Sequence, residues 1–97
     1  MKLYLNLLDT NINILEYLMN ELVGFVNGNN VRQKVLSLLS SKGKMEEKRI
    51  SKTLRVVSPT IAKTLKELEE KELITKKDEM YFLTETGVKV EKMIQQI

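Results

Sequence analysis

One stretch decides the fold: residues 58–74 read SPTIAKTLKELEEKELI. Ser58 is a preferred N-cap residue, and Pro59 suits the first helical position. Apolar side chains then recur at helical spacing on one stripe: Ile61, Leu65 and Leu68. The opposite face is polar, and it is basic toward its N-terminal half. The pattern predicts an amphipathic helix over residues 58–71 that buries one side.

After this helix the pattern changes to that of β-structure. Residues 73–76 and 80–83 read as two short strands around the turn-forming run 77–79, which predicts a β-hairpin with a short tip. Thr84 is placed to cap a final helix. Along that helix apolar residues recur at i, i+3, i+4 and i+7: Val90, Met93, Ile94 and Ile97.

Two shorter helices are predicted before the decisive stretch. One spans about residues 30–40, with Asn29 or Asn30 as its cap. The other spans about residues 47–54, and Met45 between them reads as a short buried β contact. A tight turn then leads into the amphipathic helix, so that the middle of the chain has the order helix, helix, turn, helix.

The N-terminal segment, residues 1–29, carries a heptad pattern. Its a/d positions are Leu5, Leu8, Ile12, Leu15, Met19, Leu22 and Val26. The helix starts near residue 2, or near residue 10 because Asp9-Thr10-Asn11 are poor helix-interior residues. We favour a helix that packs on its own domain with one side and on a partner chain with another. The alternative is a helix that packs on its own domain alone.

Composition excludes several classes of site. The 97-residue chain has no cysteine and no histidine, so disulfides, thiolate metal sites and catalytic triads that need histidine cannot form. No uninterrupted run of about 18 apolar residues marks a membrane span, and a cytoplasmic location is expected. Because no nucleophile–base constellation is present, we expect neither enzymatic activity nor a metal or other cofactor.

Positive charge is concentrated around the decisive stretch. Residues 42–66 hold eight basic residues against two acidic ones, whereas residues 1–30 hold one basic residue against three acidic ones. Such a local excess is the electrostatic footprint of a surface that binds a polyanion. The alternative is a solvated, lysine-rich surface with no partner.

Three stretches carry a resemblance to a known family. Residues 50–54, ISKTL, look like the first helix of a helix-turn-helix motif, with the small Ser51 where the helices cross. Residues 58–74 look like a recognition helix that leads into a wing strand, and residues 81–87, YFLTETG, look like the junction between the wing and the last helix. In this order, over about residues 30–97, the chain resembles the MarR/ArsR-like winged helix-turn-helix DNA-binding proteins, which are small prokaryotic or archaeal regulators.

The resemblance implies a mainly α fold with a small β-hairpin. Residues 30–97 would form the winged helix-turn-helix domain, and residues 1–29 an extra helical segment for dimerisation. The implied function is a sequence-specific transcriptional regulator that binds double-stranded DNA as a homodimer, with helix 58–71 in the major groove. The alternative is a winged-helix protein–protein interaction or architectural module with little DNA sequence specificity. The basic residues at 42–66 favour DNA as the partner, but they would contribute equally to specific and to non-specific binding. The sequence indicates no effector.

The resemblance also assigns candidate DNA contacts. In such motifs the N-terminal residues of the recognition helix lie nearest the bases, so Thr60 and Lys63 are the base-edge candidates. Phosphate contacts are expected from four basic residues: Arg55, Lys66, Lys76 and Lys77. Ser58 caps the helix or contacts a phosphate, and Thr64 completes the predicted DNA-binding set.

Two local features depart from the family pattern. Arg55 stands in the turn where the family often has glycine, and the wing tip is only two or three residues long. The short tip argues against deep insertion into the minor groove. Basic residues of the preceding helix are left out of the predicted contacts, because Glu46 and Glu47 can pair with them; they are Lys48, Arg49 and Lys52.

Dimer contacts are expected from the apolar faces of the first and last helices, since terminal helices of two chains interlock in the resembling family. The predicted set is Ile12, Leu15, Met19, Leu22, Val26, Val90, Met93, Ile94 and Ile97. Dimerisation would match two recognition helices to half-sites about 34–36 Å apart. The alternative for the last helix is that its apolar residues only close the core of the monomer.

Overall fold

The computed structural model describes the backbone of residues 2–96 and the side chains of residues 14–96. Over that range the chain forms five helices and one hairpin: α1 (Lys2–Asn27), α2 (Asn30–Lys42), α3 (Glu47–Leu54), α4 (Ser58–Glu70), β1 (Ile74–Lys77), β2 (Met80–Leu83) and α5 (Glu85–Gln95). The two strands pair in antiparallel fashion. The predicted fold class, mainly α with a small β-hairpin and an extra N-terminal helix, is confirmed.

The first helix has two parts with different surroundings. Its backbone is helical from Lys2, so the earlier of the two predicted starts is the one observed. The C-terminal part packs on α2 and α5, and Val26 there is fully buried. About two to three turns earlier, four large apolar side chains are exposed: Ile14, Leu15, Tyr17 and Leu18. The single chain therefore leaves an apolar surface on α1 without cover.

A side-chain cap marks the start of the second helix, and a glycine marks its end. The Asn29 side-chain oxygen accepts hydrogen bonds from the backbone N–H groups of Val31 and Arg32, at 2.9 and 3.1 Å. At the other end Gly43 has φ 91°, and its N–H donates to the Leu39 carbonyl at 2.8 Å. Of the two predicted caps, Asn29 is the one that the structure uses.

The turn between α3 and α4 is held by hydrogen bonds across it. The Ser51 hydroxyl donates to the Val56 carbonyl at 2.6 Å, and the Val56 N–H donates to the Ser51 carbonyl at 3.1 Å. Between these residues Arg55 adopts φ 56° and ψ 44°, which is the left-handed region. A non-glycine residue pays about 1–2 kcal/mol there. The turn thus takes a conformation that suits glycine without having glycine.

The start of α4 differs from the prediction. The N-cap is Val57, with extended backbone at φ −61° and ψ 148°, and no side chain caps the helix. Ser58 is already the first helical residue, so the prediction that Ser58 caps the helix is wrong. The reason is that the hydrogen-bonded α3–α4 turn, rather than the residue type at position 58, decides where the backbone becomes helical.

The wing is a tight hairpin. β1 begins at Ile74, and the tip consists of Asp78 and Glu79, both with positive φ, at 53° and 66°. Two consecutive left-handed residues are typical of the type I′ turn that joins twisted antiparallel strands. On the other side of β2, Met45 exchanges two backbone hydrogen bonds with Tyr81, at 3.0 and 2.8 Å. The predicted β contact at Met45 is confirmed.

The wing joins α5 through a compact junction. The Thr84 hydroxyl oxygen accepts from the Gly87 N–H at 3.0 Å and donates to the Glu72 carbonyl at 2.7 Å, while the Thr84 N–H donates to the Leu73 carbonyl at 3.0 Å. A Cβ at position 87 would overlap the Leu73 carbonyl oxygen. The junction therefore requires glycine for close approach, and the predicted capping role of Thr84 is confirmed.

The core lies where α2 packs on α4, α5 and the second strand. Its fully buried members are Val26, Val35, Leu36, Leu39, Ile50, Ile61, Leu65, Leu68, Leu73, Ile74 and Val90. This core fixes the rotation of α4 about its axis, and so decides which of its side chains face outward. In the described part of the chain, no helix is both long enough and apolar enough to cross a membrane.

Candidate nucleic-acid interface

The outward face of α4 is basic in its N-terminal half. Because the apolar stripe of the helix is buried at 0–1% exposure, Lys63 and Lys66 face solvent. Thr60 is half-buried at the edge of this face, one turn before Lys63. Three predicted contact residues are thus brought to one exposed surface of one helix.

Thr64 does not share that surface. Its side chain is only 3% exposed, because it lies beside the stripe of apolar residues that packs into the domain. A buried side chain cannot reach a ligand that approaches the exposed face of the helix. The prediction of a DNA contact at Thr64 is therefore wrong for this fold.

Within the described residues, the first turn of α4 leaves the Ser58 N–H as a free donor. No side chain caps the helix, Pro59 has no N–H, and the Thr60 N–H donates to the Val57 carbonyl at 3.1 Å. Ser58 itself is exposed. A free N–H and the positive end of the helix dipole favour an anionic group at this position.

The third helix adds cations that the sequence prediction omitted. Lys48, Arg49 and Lys52 are exposed, and among the described residues none of them forms an ion pair with Glu46 or Glu47. Together with Glu46, Ser51 and Ser58 they line an open cleft of about 530 Å³. Their spacing at i, i+1 and i+4 on a short helix was the sequence signal that could have predicted this basic surface. The basic surface therefore extends from α4 onto α3.

The two wing lysines differ in their surroundings. Lys76 Nζ lies 3.6 Å from a carboxylate oxygen of Glu79 and 5.4 Å from the centre of the Tyr81 ring. The Tyr81 phenol and then Glu79 raise the pKa of Lys76 above its usual value. Lys77 is exposed and, in the described part of the chain, forms no ion pair. Of the two, Lys77 has its charge more fully available.

Acidic residues occupy the opposite end of α4. Glu69, Glu70 and Glu72 are exposed near its C-terminus. Glu67 is paired with Arg32, with its Oε1 3.2 Å from the arginine Nε. The exposed charge therefore changes sign along the helix, from positive at its N-terminal half to negative at its C-terminal end. In residues 14–96, no group of three or more carboxylates is placed to hold a metal ion.

The predicted dimer residues fall into four groups. Val26 and Val90 are 0% exposed in the single chain; they have no surface left to bury, so their assignment to a dimer interface is wrong. Leu15 is 56% exposed. Four more are half-buried against the core: Met19, Leu22, Met93 and Ile94. The Ile12 side chain and Ile97 lie outside the described residues.

Comparison with protein families gives a match over most of the chain. The model of the family described as "Methanogenesis regulatory protein FilR1, N-terminal domain" matches residues 19–97. The match begins within α1 and includes all of the helix-turn-helix, the wing and α5. No curated protein sequence matches the chain.

Solved structures share this fold at low sequence identity. The crystal structure of MepR, a transcription regulator of the Staphylococcus aureus multidrug efflux pump MepA, has a TM-score of 0.71 at 21% identity over 96% of this chain and 74% of its own. The reduced form of MarR from E. coli has a TM-score of 0.70 at 21% identity, over 94% of this chain and 69% of its own. Sco5413, a MarR family transcriptional regulator from Streptomyces coelicolor, has a TM-score of 0.65 at 18% identity, over 96% of this chain and 72% of its own. The chain has the MarR-type winged-helix fold.

Proposed function

The chain belongs to the family of the N-terminal domain of the methanogenesis regulatory protein FilR1, and from that premise we propose that it is a transcriptional regulator that binds DNA as a homodimer. The observation that carries the proposal is the division of charge along α4. Exposed cations gather around its N-terminal half and exposed glutamates around its C-terminal end. A helix that meets DNA with its N-terminal half places the cations near phosphates and keeps the glutamates away.

In this orientation α4 enters the major groove with its first two turns. Lys63 donates to guanine O6 or N7, and Thr60 hydrogen-bonds a base edge or touches a thymine methyl group. The exposed Ser58 hydroxyl and the Ser58 N–H at the start of the helix bind a phosphate oxygen. The helix start therefore contributes both base reading and phosphate binding.

The remaining cations hold the backbone of the duplex. We assign phosphate contacts to Arg55, Lys66 and Lys77, and extend them to the α3 cations at 48, 49 and 52 that line the cleft beside Ser58. Lys76 contributes less, because Glu79 lies 3.6 Å from its ammonium group. These contacts fix the position of the protein on DNA and carry no sequence information of their own.

The domain division that fits this function is an N-terminal arm, residues 1–29, and a DNA-binding domain, residues 30–97. The arm exposes Leu15 and Leu18 at 56% and 50%, and burying apolar surface yields about 25 cal/mol per Å². A second copy offers the same apolar surface, as an isologous two-fold contact requires. We therefore propose that the arms of two chains pair, and that Met19, Leu22, Met93 and Ile94 extend the contact.

A second candidate function is architectural DNA binding with little sequence specificity. The α3 cations support it, because they add phosphate contacts that are blind to sequence. Specific and architectural binding differ in what Lys63 does: it reads a base in the first case and only adds charge in the second.

The test measures binding of fluorescent mixed-sequence and selected duplexes by anisotropy at about 50 and about 200 mM salt. We expect Lys63→Ala to cost about 1–3 kcal/mol on the selected duplex and much less on the mixed one. Lys89→Ala removes the same charge from an exposed position on α5 and serves as the matched control. We expect it to change neither affinity.

Two outcomes would overturn parts of the proposal. Equal losses on both duplexes for Lys63→Ala would favour architectural binding over sequence-specific regulation. Absence of binding to either duplex at low salt would exclude both DNA functions and leave a protein–protein interaction module.

The homodimer is tested separately by sedimentation velocity. Leu15→Glu combined with Leu18→Glu places charge on the exposed apolar surface of α1 without touching the core, so we expect a folded monomer. Asn20→Glu, an exposed polar position on the same helix, is the control and should leave the dimer intact. A wild-type chain that sediments as a monomer would contradict the dimer.

A further inference from the structure

Near the C-terminal end of α1 an aromatic ring lies close to two cations. The Arg32 guanidinium carbon is 3.9 Å from the centre of the Phe25 ring, and the Lys71 ammonium nitrogen is 5.3 Å from it. Both distances are within the range of cation–π attraction. Phe25 belongs to α1, Arg32 to α2, and Lys71 is the C-cap of α4.

Arg32 also forms two directed hydrogen bonds. Its Nη1 donates to the Phe25 carbonyl at 2.9 Å, and its Nε donates to Glu67 Oε1 at 3.2 Å. Its side chain and that of Glu67 are 19% and 26% exposed. A planar guanidinium is suited to stack on a ring and donate in its own plane at the same time, which a lysine ammonium is not.

These contacts join two helices whose main packing neighbours have only α2 in common. α1 packs on α2 and α5, whereas α4 packs on α2, α3 and β1. From the first turn of α2, the Arg32 side chain bonds to a backbone carbonyl of α1 and to a side chain of α4. It therefore constrains the angle between them directly, and not only through the packing of α2.

Changes in this angle move the part of α1 that is proposed to pair with a second chain. Leu15 lies about 15 Å along the helix from Phe25 at 1.5 Å per residue. A tilt of about 10° at Phe25 therefore moves it by about 2.6 Å. The displacement approaches the 3.4 Å rise of one base pair.

We propose that Arg32 is a positioning residue that sets the angle between α1 and α4, and through it the half-site spacing that the dimer accepts on DNA. The spacing part rests on the proposed function, since it requires that α1 pairs two chains and α4 reads DNA. The angle itself is a property of one chain. The two parts are therefore tested by two measurements.

The first measurement needs no DNA. Because the chain has no cysteine, Glu16→Cys and Glu70→Cys, both exposed, introduce a single pair of spin-label sites on α1 and α4. Electron double resonance on labelled chains diluted with unlabelled chains gives their distance distribution within one chain. We expect a narrow distribution with Arg32, a broader or shifted one for Arg32→Met, and an intermediate one for Arg32→Lys. Lys34→Met, an exposed position on the same helix, is the matched control.

The second measurement compares affinities for duplexes whose half-sites differ in spacing by single base pairs. We expect the wild type to prefer one spacing by about tenfold, which is about 1.4 kcal/mol, because DNA must be deformed to fit a wrong spacing. Arg32→Met should bind neighbouring spacings nearly equally, while its best affinity stays within a few-fold of the wild type.

The two measurements separate the possible failures. If Arg32→Met keeps the narrow, unshifted distance of the wild type, the positioning role is wrong whatever the DNA result. If the distance broadens but wild type binds no DNA, the angular role stands and the proposed function fails. If Arg32→Met weakens every spacing equally, the residue only stabilises the fold; Arg32→Lys gives the same readouts should Arg32→Met fail to fold.

Discussion

The backbone of Gly87 lies directly against the Leu73 carbonyl oxygen, so closely that a Cβ at position 87 would overlap it. The Leu73 oxygen also accepts the hydrogen bond from the Thr84 N–H. This contact positions the start of α5 against the end of α4 and the wing. The junction is thus both rigid and intolerant of a larger residue.

Gly87→Ala is expected to destabilise the fold by about 2–3 kcal/mol, because the methyl group forces backbone to move in a packed site. Gly24→Ala is the matched control, since a Cβ there meets no atom within 4 Å; it should stabilise the helix by about 0.5–1 kcal/mol. Urea denaturation of both variants measures the difference. A neutral Gly87→Ala would show that the junction relaxes freely.

Arg55→Gly should change stability and DNA affinity in opposite directions. Glycine relieves the left-handed backbone and stabilises the fold by about 1 kcal/mol, but loss of the guanidinium should weaken binding to all sequences about three- to tenfold at low salt. Glu72→Gly relieves the same kind of backbone, at φ 58°, and should not weaken binding. Parallel denaturation and anisotropy titrations check both; unchanged affinity in Arg55→Gly would remove Arg55 from the interface.

The two wing lysines should contribute unequally to DNA binding. Lys77→Ala should weaken binding to all sequences and reduce the salt dependence by about one counterion per subunit. Lys76→Ala should have a smaller effect, because Glu79 lies 3.6 Å from the Lys76 ammonium group. Salt titrations of both variants measure this, and a larger effect at Lys76 would contradict the assignment.

Glu91 makes the stability of the fold depend on pH. Burial raises the pKa of its carboxyl, against a smaller opposite effect of the hydrogen bond from Gln95. The folded state therefore holds the proton more tightly than the unfolded state. This contribution is fully present below the unfolded pKa of about 4.3 and is lost as the pH rises through the folded value.

Glu91→Gln should consequently be more stable than the wild type at pH 7, and its advantage should shrink as the pH falls toward 4. Thermal denaturation across this range, with the exposed Glu70→Gln as control, gives the comparison. An advantage that does not depend on pH would show that Glu91 is not titrating in the folded state as described.

Local signals predicted the elements well where the deciding contacts are near in sequence. Thr84 and Gly87 are three residues apart, and their cap is readable from residue types alone. The start of α4 could not be predicted from residue types alone. Val57 is its N-cap because hydrogen bonds between Ser51 and Val56 hold the turn before it. The residue type at one position does not determine where a turn ends.

Contacts between distant residues were beyond local patterns. The heptad pattern of the first helix places Leu15 and Val26 on one seam, but only the packed domain leaves Leu15 exposed and buries Val26. Arg32 and Glu67 are 35 residues apart, and no spacing rule links them. The helical stripe of α4 indicated its buried face, yet Thr64 at the edge of that stripe proved to be buried as well.

We propose above all that the N-terminal half of α4 reads DNA sequence in a dimer. Unbiased selection from a random duplex pool, run in parallel with wild type and Lys63→Ala, tests it most directly. We predict that the wild type enriches an inverted repeat with half-sites about 34–36 Å apart, and that Lys63→Ala loses the base preference at one position of each half-site. Enrichment of no sequence by the wild type, or of the same complete motif by Lys63→Ala, would contradict the claim.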